Sequence, residues 1–168
     1  MQKDYVLDAN ILLRDPGSIF GFEDNRVHIT YATIMELSRK ISMKGDPGYN
    51  AKEAMDNIDK LLITSRDPRT IPINEGAGTF CLHSPGVKAF GYDETLISEI
   101  REHPDFRETS GIILVTNKTA LRIMASMNGL KAESYRNERT TSKFMHRGSA
   151  PERRKICTET GNWGISRA

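Results

Sequence analysis

Residues 5–13 read YVLDANILL. An apolar run, Tyr5-Val6-Leu7, stops at Asp8, and a helical pattern begins at Asn10. Burying a carboxylate is costly unless it is hydrogen-bonded or neutralised, so an acid directly after a buried strand needs a physical reason. The rest of the chain supplies its setting. Residues 26–30 (RVHIT) read as a second strand, residues 79–83 (TFCLH) as a third, and residues 111–116 (GIILVT) as a continuous apolar strand. Helical spacing runs through residues 31–43 and 49–63, where Ala54, Ile58, Leu61 and Leu62 share a face. A further helix opens at Asp93, and the last lies within residues 117–130, ended by Asn128-Gly129.

Breakers separate these elements. RDPGS interrupts the first helix, SIFGF is a short turn or helix, KGDPG parts two helices, and residues 64–78 read as a long polar connection. Strands alternate with helices and two strands are apolar throughout, which predicts a parallel sheet covered on both faces. Ligands of such sheets bind beyond the carboxyl ends of the strands. Asp8 stands at that edge.

At 168 residues the chain fits one domain able to bury roughly two thirds of its unfolded surface. With 38% apolar and 27% charged residues, and no apolar run near the ~20 residues of a membrane helix, it reads as soluble. No secretory signal opens it, and neither Cys81 nor Cys157 has a CxxC partner, so a reducing cytoplasm is the expected compartment. Cys81 and His83 lack partners at ligand spacing and are read as structural. The net charge of +2 is uneven: residues 136–168 carry eight Lys and Arg against three Asp and Glu, whereas residues 1–135 are acidic by three charges. After residue 136 periodicity dissolves, predicting an extended basic tail that either contacts nucleic acid or is merely solvated.

Asp8, Glu36 and Asp93 all fall where strand ends and helix starts meet that edge. Singly, Asp93 is explained as a helix cap and Glu36 as a partner of Arg39 or Lys40. Together, converging carboxylates repel unless a cation neutralises them. Hard oxygen ligands suit Mg2+ or Mn2+, whose natural chemistry is activation of water at a phosphate. Haloacid-dehalogenase-type phosphatases carry Asp-x-Asp at such a turn. Here the stretch is Asp8-Ala9-Asn10, and the second acid is missing.

The stretch YVLDANILLRDPGSIFGFEDNRVHI resembles the opening of the PIN domain found at the N-terminus of PIN–PhoH proteins. TIMELSRK, GYNAKEAMDNIDKLL, DETLISEI and LVTNKTALRIMASMNGLKAESYRN resemble its later blocks, in order, so the likeness covers residues 4 to about 137. It implies a Rossmann-like α/β/α sandwich with a central parallel sheet as a PIN domain over residues 1–136. It also implies an Mg2+ or Mn2+ site of clustered carboxylates and endonuclease cleavage of single-stranded RNA. Asp8, Glu36 and Asp93 match three family acids and are the expected metal ligands. Asn10 matches the polar residue supporting the first acid, and Thr116 the Ser/Thr after the last strand. Thr116 and Asn117 are expected to orient water or phosphate. The chain departs from the pattern at Ala9, at Ala120 and most of all at Lys118, where the family places an acid.

Residues 137–168 form the expected linker, since GNWGISRA resembles the lead-in to a PhoH ATPase domain; no GxxxxGK[ST] phosphate loop is present. Arg139, Lys143, Arg147, Arg153, Arg154 and Lys155 are the expected RNA-backbone contacts. The leading expectation is thus a metal-dependent endoribonuclease holding one divalent ion. The alternative, favoured by Lys118, is a catalytically inactive scaffold that binds RNA or a protein. Partners consistent with the resemblance are a second copy, an inhibitor protein or a PhoH-type ATPase, with no membrane.

Overall fold

In the computed structural model, residues 2–86, 89–107 and 111–136 are described. The first strand, β1 (Asp4–Leu7), leads directly into α1 (Ala9–Arg14). Then come β2 (Arg26–Ile29), α2 (Tyr31–Lys40) and α3 (Asp46–Thr64). A hairpin of β3 (Ile71–Ile73) and β4 (Gly78–Leu82) precedes α4 (Tyr92–Glu102) and the short α5 (Pro104–Arg107). The described chain closes with β5 (Ile112–Val115), α6 (Thr119–Met127) and β6 (Lys131–Glu133).

The six strands form one sheet in the order β3-β4-β2-β1-β5-β6, parallel except for the antiparallel β3–β4 pair. Side chains alternate across each strand, and the alternation sorts the core. Leu7 and Val115 face a cluster with Leu12, Ala51, Ala54 and Ile58, whereas Val6 and Leu114 face another with Leu96, Ile97, Ile100 and Leu121. The first cluster lies under α1 and α3, the second under α4 and α6. This three-layer α/β/α arrangement is the PIN-like fold expected from the sequence. No helix among the described residues is long and apolar enough to cross a membrane.

Three expectations need correction. The stretch 64–78 is not a plain connection, because Ile71-Pro72-Ile73 adds an antiparallel edge strand to β4. Pro72 is tolerated there because an edge strand leaves one side of its backbone unpaired. Lys131–Glu133, just past the last helix and given no element in the sequence reading, is a second edge strand, too short and charged to show a pattern. Third, α3 starts at Asp46, ahead of Tyr49, with Pro47 in its first turn where a missing N–H costs nothing. Gly48 permits that tight entry: a Cβ there would lie 1.9 Å from the Met43 carbonyl oxygen.

Strand β1 is central, and the chain moves from it to β2 on one side and later to β5 on the other. The crevice beyond the carboxyl ends of β1 and β5 is therefore the topological switch point where ligands bind in such sheets. The basic residues of 137–168, including Arg139, Lys143, Arg147, Arg153, Arg154 and Lys155, lie outside the described residues.

Candidate active site

Pairing of Leu7 with Val115 sets Asp8 beside Thr116, one residue past each strand. The Asp8 amide donates to the Val115 carbonyl at 3.1 Å, which fixes the turn. Asp8 is wholly buried and caps α1. Its Oδ1 accepts the Asn10 amide at 3.2 Å and the Tyr92 hydroxyl at 2.7 Å. Its Oδ2 accepts the Thr116 hydroxyl at 2.6 Å, and the Asn10 side-chain amide reaches both oxygens at 3.2–3.3 Å. Four donor groups thus surround one buried carboxylate, which is what its burial requires.

Tyr92 is the residue the sequence did not single out. Its hydroxyl donates to Asp8 and accepts the Ala9 amide at 2.8 Å, so it closes the α1 entrance from the first turn of α4. Burial, reinforced by the Asp8 charge, pushes its phenol well above the usual tyrosine range. Thr33 stands behind it, 3.5 Å from the Tyr92 hydroxyl and donating to the Leu7 carbonyl at 3.2 Å. The signal in the sequence was faint: Tyr92 immediately precedes Asp93 at a helix start.

In front of Asp8 lies an open polar cavity of about 490 Å3 whose walls include Asn10, Glu36, Tyr92, Asp93, Asn117 and Lys118. The structure therefore gathers Glu36, Asp93, Asn10, Asn117 and Lys118 around one space, with Asp8 and Thr116 in the layer behind. Its walls carry three basic residues, Arg14, Lys40 and Lys118, and three acidic ones, Glu36, Asp93 and Glu94. Glu36, mostly buried, pairs with Arg39 and with Lys40 at 3.4 Å each. Lys118 Nζ rests on Asp93 Oδ2. The other oxygen, Asp93 Oδ1, is the one buried carboxylate oxygen among the described residues without a hydrogen-bond partner. The Lys118 amide donates to the Thr116 hydroxyl at 3.1 Å, so the side chain that holds Asp8 also orients the Lys118 backbone. The Asn117 side-chain oxygen accepts the Tyr135 amide at 2.9 Å, tying the site to the segment after β6.

Comparison with known proteins follows the same outline. The family model for the PIN domain matches residues 5–136. The chain is similar to Protein PhoH2 of Bacillus subtilis (strain 168), 30% identical over 152 residues that cover 83% of this chain and 34% of that protein. It is also similar to Protein PhoH2 of Thermobispora bispora, 32% identical over 141 residues covering 80% of this chain and 32% of that one. The chain thus spans about a third of the length of these curated relatives. Among solved structures, a domain of a functionally unknown protein from Methanocaldococcus jannaschii superposes with a TM-score of 0.55 at 14% identity, covering 94% of this chain and 99% of that one. That likeness concerns the fold alone.

Proposed function

The chain belongs to the PIN-domain family, of the kind found in PhoH2 proteins, and from that premise we propose that it is a metal-dependent endoribonuclease cleaving single-stranded RNA. PIN domains are nucleases in general and generally use divalent metal ions. The observation that supports the finer reading is Asp93 Oδ1, a buried carboxylate oxygen without a donor on a residue that lines the same cavity as Glu36. A lone pair kept from both water and protein donors is costly, and a hard cation such as Mg2+ or Mn2+ would satisfy it.

In this reading Asp93 and Glu36 would hold the ion directly. Asp8, behind them and bound by Asn10, Tyr92 and Thr116, would supply negative charge or a ligand oxygen from the second layer. A divalent ion, when bound, activates a water and neutralises charge at the phosphodiester. Lys118 would give the phosphate a fixed positive contact where the family pattern has an acid, and Asn117 would help orient it. The residues of the basic tail would add sequence-independent attraction to the RNA backbone, with a salt slope of roughly 0.7 per phosphate contact on single strands. A second copy, an inhibitor protein and a PhoH-type ATPase are the proposed protein partners.

The Lys118–Asp93 ion pair favours a second reading, an inactive scaffold whose metal position is filled by its own ammonium. Cleavage of a labelled single-stranded RNA in Mn2+ separates the two. The nuclease reading expects cleavage by the wild type and its loss in Asp93→Asn. Absence of cleavage in both, with RNA still bound, would establish the scaffold.

A further inference from the structure

The opposite end of α4 carries a second cluster. Asp93 and His103 are ten residues apart, about 15 Å along a helix axis, so this cluster is separate from the cavity at Asp93. His83 follows β4, His103 ends α4 and Asp105 lies in α5. Among the described residues, they are the one trio of His, Cys, Asp or Glu whose ligand atoms all lie within 4.8 Å of one another. Asp105 Oδ2 is 3.0 Å from His83 Nδ1 and 3.7 Å from His103 Nδ1. A tetrahedral ion with bonds of roughly 2.0–2.2 Å holds its ligand atoms roughly 3.3–3.5 Å apart, between those two separations.

The surroundings have the form of a metal centre's outer layer. His83 Nε2 lies 2.9 Å from His28 Nδ1, and His28 Nε2 lies 2.8 Å from Asp4 Oδ1, which Arg26 also approaches at 3.3 Å. The hydrogen bond with His28 holds the Asp4 carboxyl below its usual range, so Asp4 accepts and His28 Nε2 donates. The 3.0 Å contact from His83 Nδ1 to Asp105 Oδ2 is a hydrogen bond in the ion-free protein; a metal ion would take the proton's place between the two atoms. His103 Nδ1 accepts the Asp105 amide at 3.3 Å, which ties the end of α4 to α5. Ligating histidines are held in one tautomer by a hydrogen bond from the remote nitrogen.

We propose that His83, His103 and Asp105 bind a divalent transition-metal ion of the zinc class, with His28 and Asp4 as its outer shell. Two imidazoles and a carboxylate suit zinc, and three protein ligands leave a fourth position open. That position faces a cavity of about 630 Å3 lined by all three ligands together with Arg69, Glu102 and Pro104. The sequence reading takes His83 as structural, and the proposal gives it a further role. Its partners sit some twenty positions downstream and are brought to it by α4 and α5, which no ligand spacing in the sequence reveals.

The test is calorimetric titration of the untagged, metal-stripped full chain with Zn2+, repeated with Co2+ while its visible absorption is followed. With excess Mg2+ present to occupy the Asp93–Glu36 cavity, the wild type is expected to take one equivalent and to give the intense visible bands of low-symmetry Co2+. Asp105→Asn and His103→Gln should each weaken binding by roughly tenfold or more, and His28→Gln, which leaves the ligands in place, by roughly ten- to a hundredfold. Asp93→Asn should leave the titration unchanged, which separates this centre from the nuclease cavity. Asp105 is 38% exposed, and its amide variant keeps the shape, so the variant's melting temperature in chelator should match the wild type. Absence of binding by the wild type, or equal affinity in Asp105→Asn and His103→Gln, would overturn the proposal.

Discussion

Tyr92 and Asp8 stand 84 residues apart in the chain and share a 2.7 Å hydrogen bond in which the phenol donates. The same oxygen accepts the Ala9 amide. Removing the hydroxyl therefore strands the buried Ala9 N–H and takes from Asp8 Oδ1 the shortest of its hydrogen bonds. Tyr92→Phe is expected to lower stability by about 1–3 kcal/mol, the cost of leaving a buried polar group unsatisfied. Urea unfolding measures it; a loss within error of zero would mean water replaces the phenol.

Alkaline pH acts on the same bond. The folded state holds the Tyr92 phenol protonated above the ordinary value of about 10. Its contribution is fully present below pH ~10 and is lost as pH rises through the higher folded value. The wild type should lose stability above pH ~10 more steeply than Tyr92→Phe. Parallel unfolding curves for the two proteins between pH 9 and 11 would contradict this.

Acid acts at the other end of β1. The Asp4 carboxyl is depressed chiefly by the hydrogen bond with His28. A depressed acid stabilises the fold above its unfolded value, near 3.9, and that contribution fades as pH falls through the lower folded value. Asp4→Asn should therefore be clearly less stable than the wild type at pH 6, with the gap closing below pH ~4. A gap independent of pH would assign the loss to packing.

Lys118 lends itself to a charge test. The Lys118 side chain is 45% exposed, so its pair with Asp93 is screened and contributes no more than about 1 kcal/mol to stability. Lys118→Ala should melt close to the wild type. Lys118→Asp frees Asp93 Oδ2 and adds a carboxylate. It should tighten Mn2+ binding about tenfold, which corresponds to about 1.4 kcal/mol, and raise RNA cleavage. Unchanged affinity would put Lys118 outside the site; higher affinity with lower cleavage would make the ammonium a working contact to the phosphate.

The strands that frame the crevice were legible because they are buried on both faces: Tyr5-Val6-Leu7 and GIILVT read as apolar without interruption. The edge strands were not. Ile71-Pro72-Ile73 and Lys131-Ala132-Glu133 take their strand form from the neighbours they pair with, β4 and β5. Asp8 stood out because an acid after a buried strand needs partners, but the partners did not. Thr116 came from the family resemblance, whereas Tyr92 and Thr33 reach Asp8 and its turn through helix packing across the sheet. Glu36 pairs with Arg39 and Lys40, as one sequence reading expected, and it also lines the cavity with Asp93.

The β1–β5 pairing has a consequence for synthesis. Thr116 is 108 positions downstream of the carboxylate it holds. A ribosome that has released residues 1–100 has delivered Asp8, Glu36, Tyr92 and Asp93, but neither Thr116 nor the central β5 that completes the crevice. Closing so long a loop is the slow, entropically costly step of assembly. The nascent chain therefore carries Asp8 through more than a hundred residues of synthesis before Thr116 is there to hold it, and the crevice is complete only once β5 has emerged.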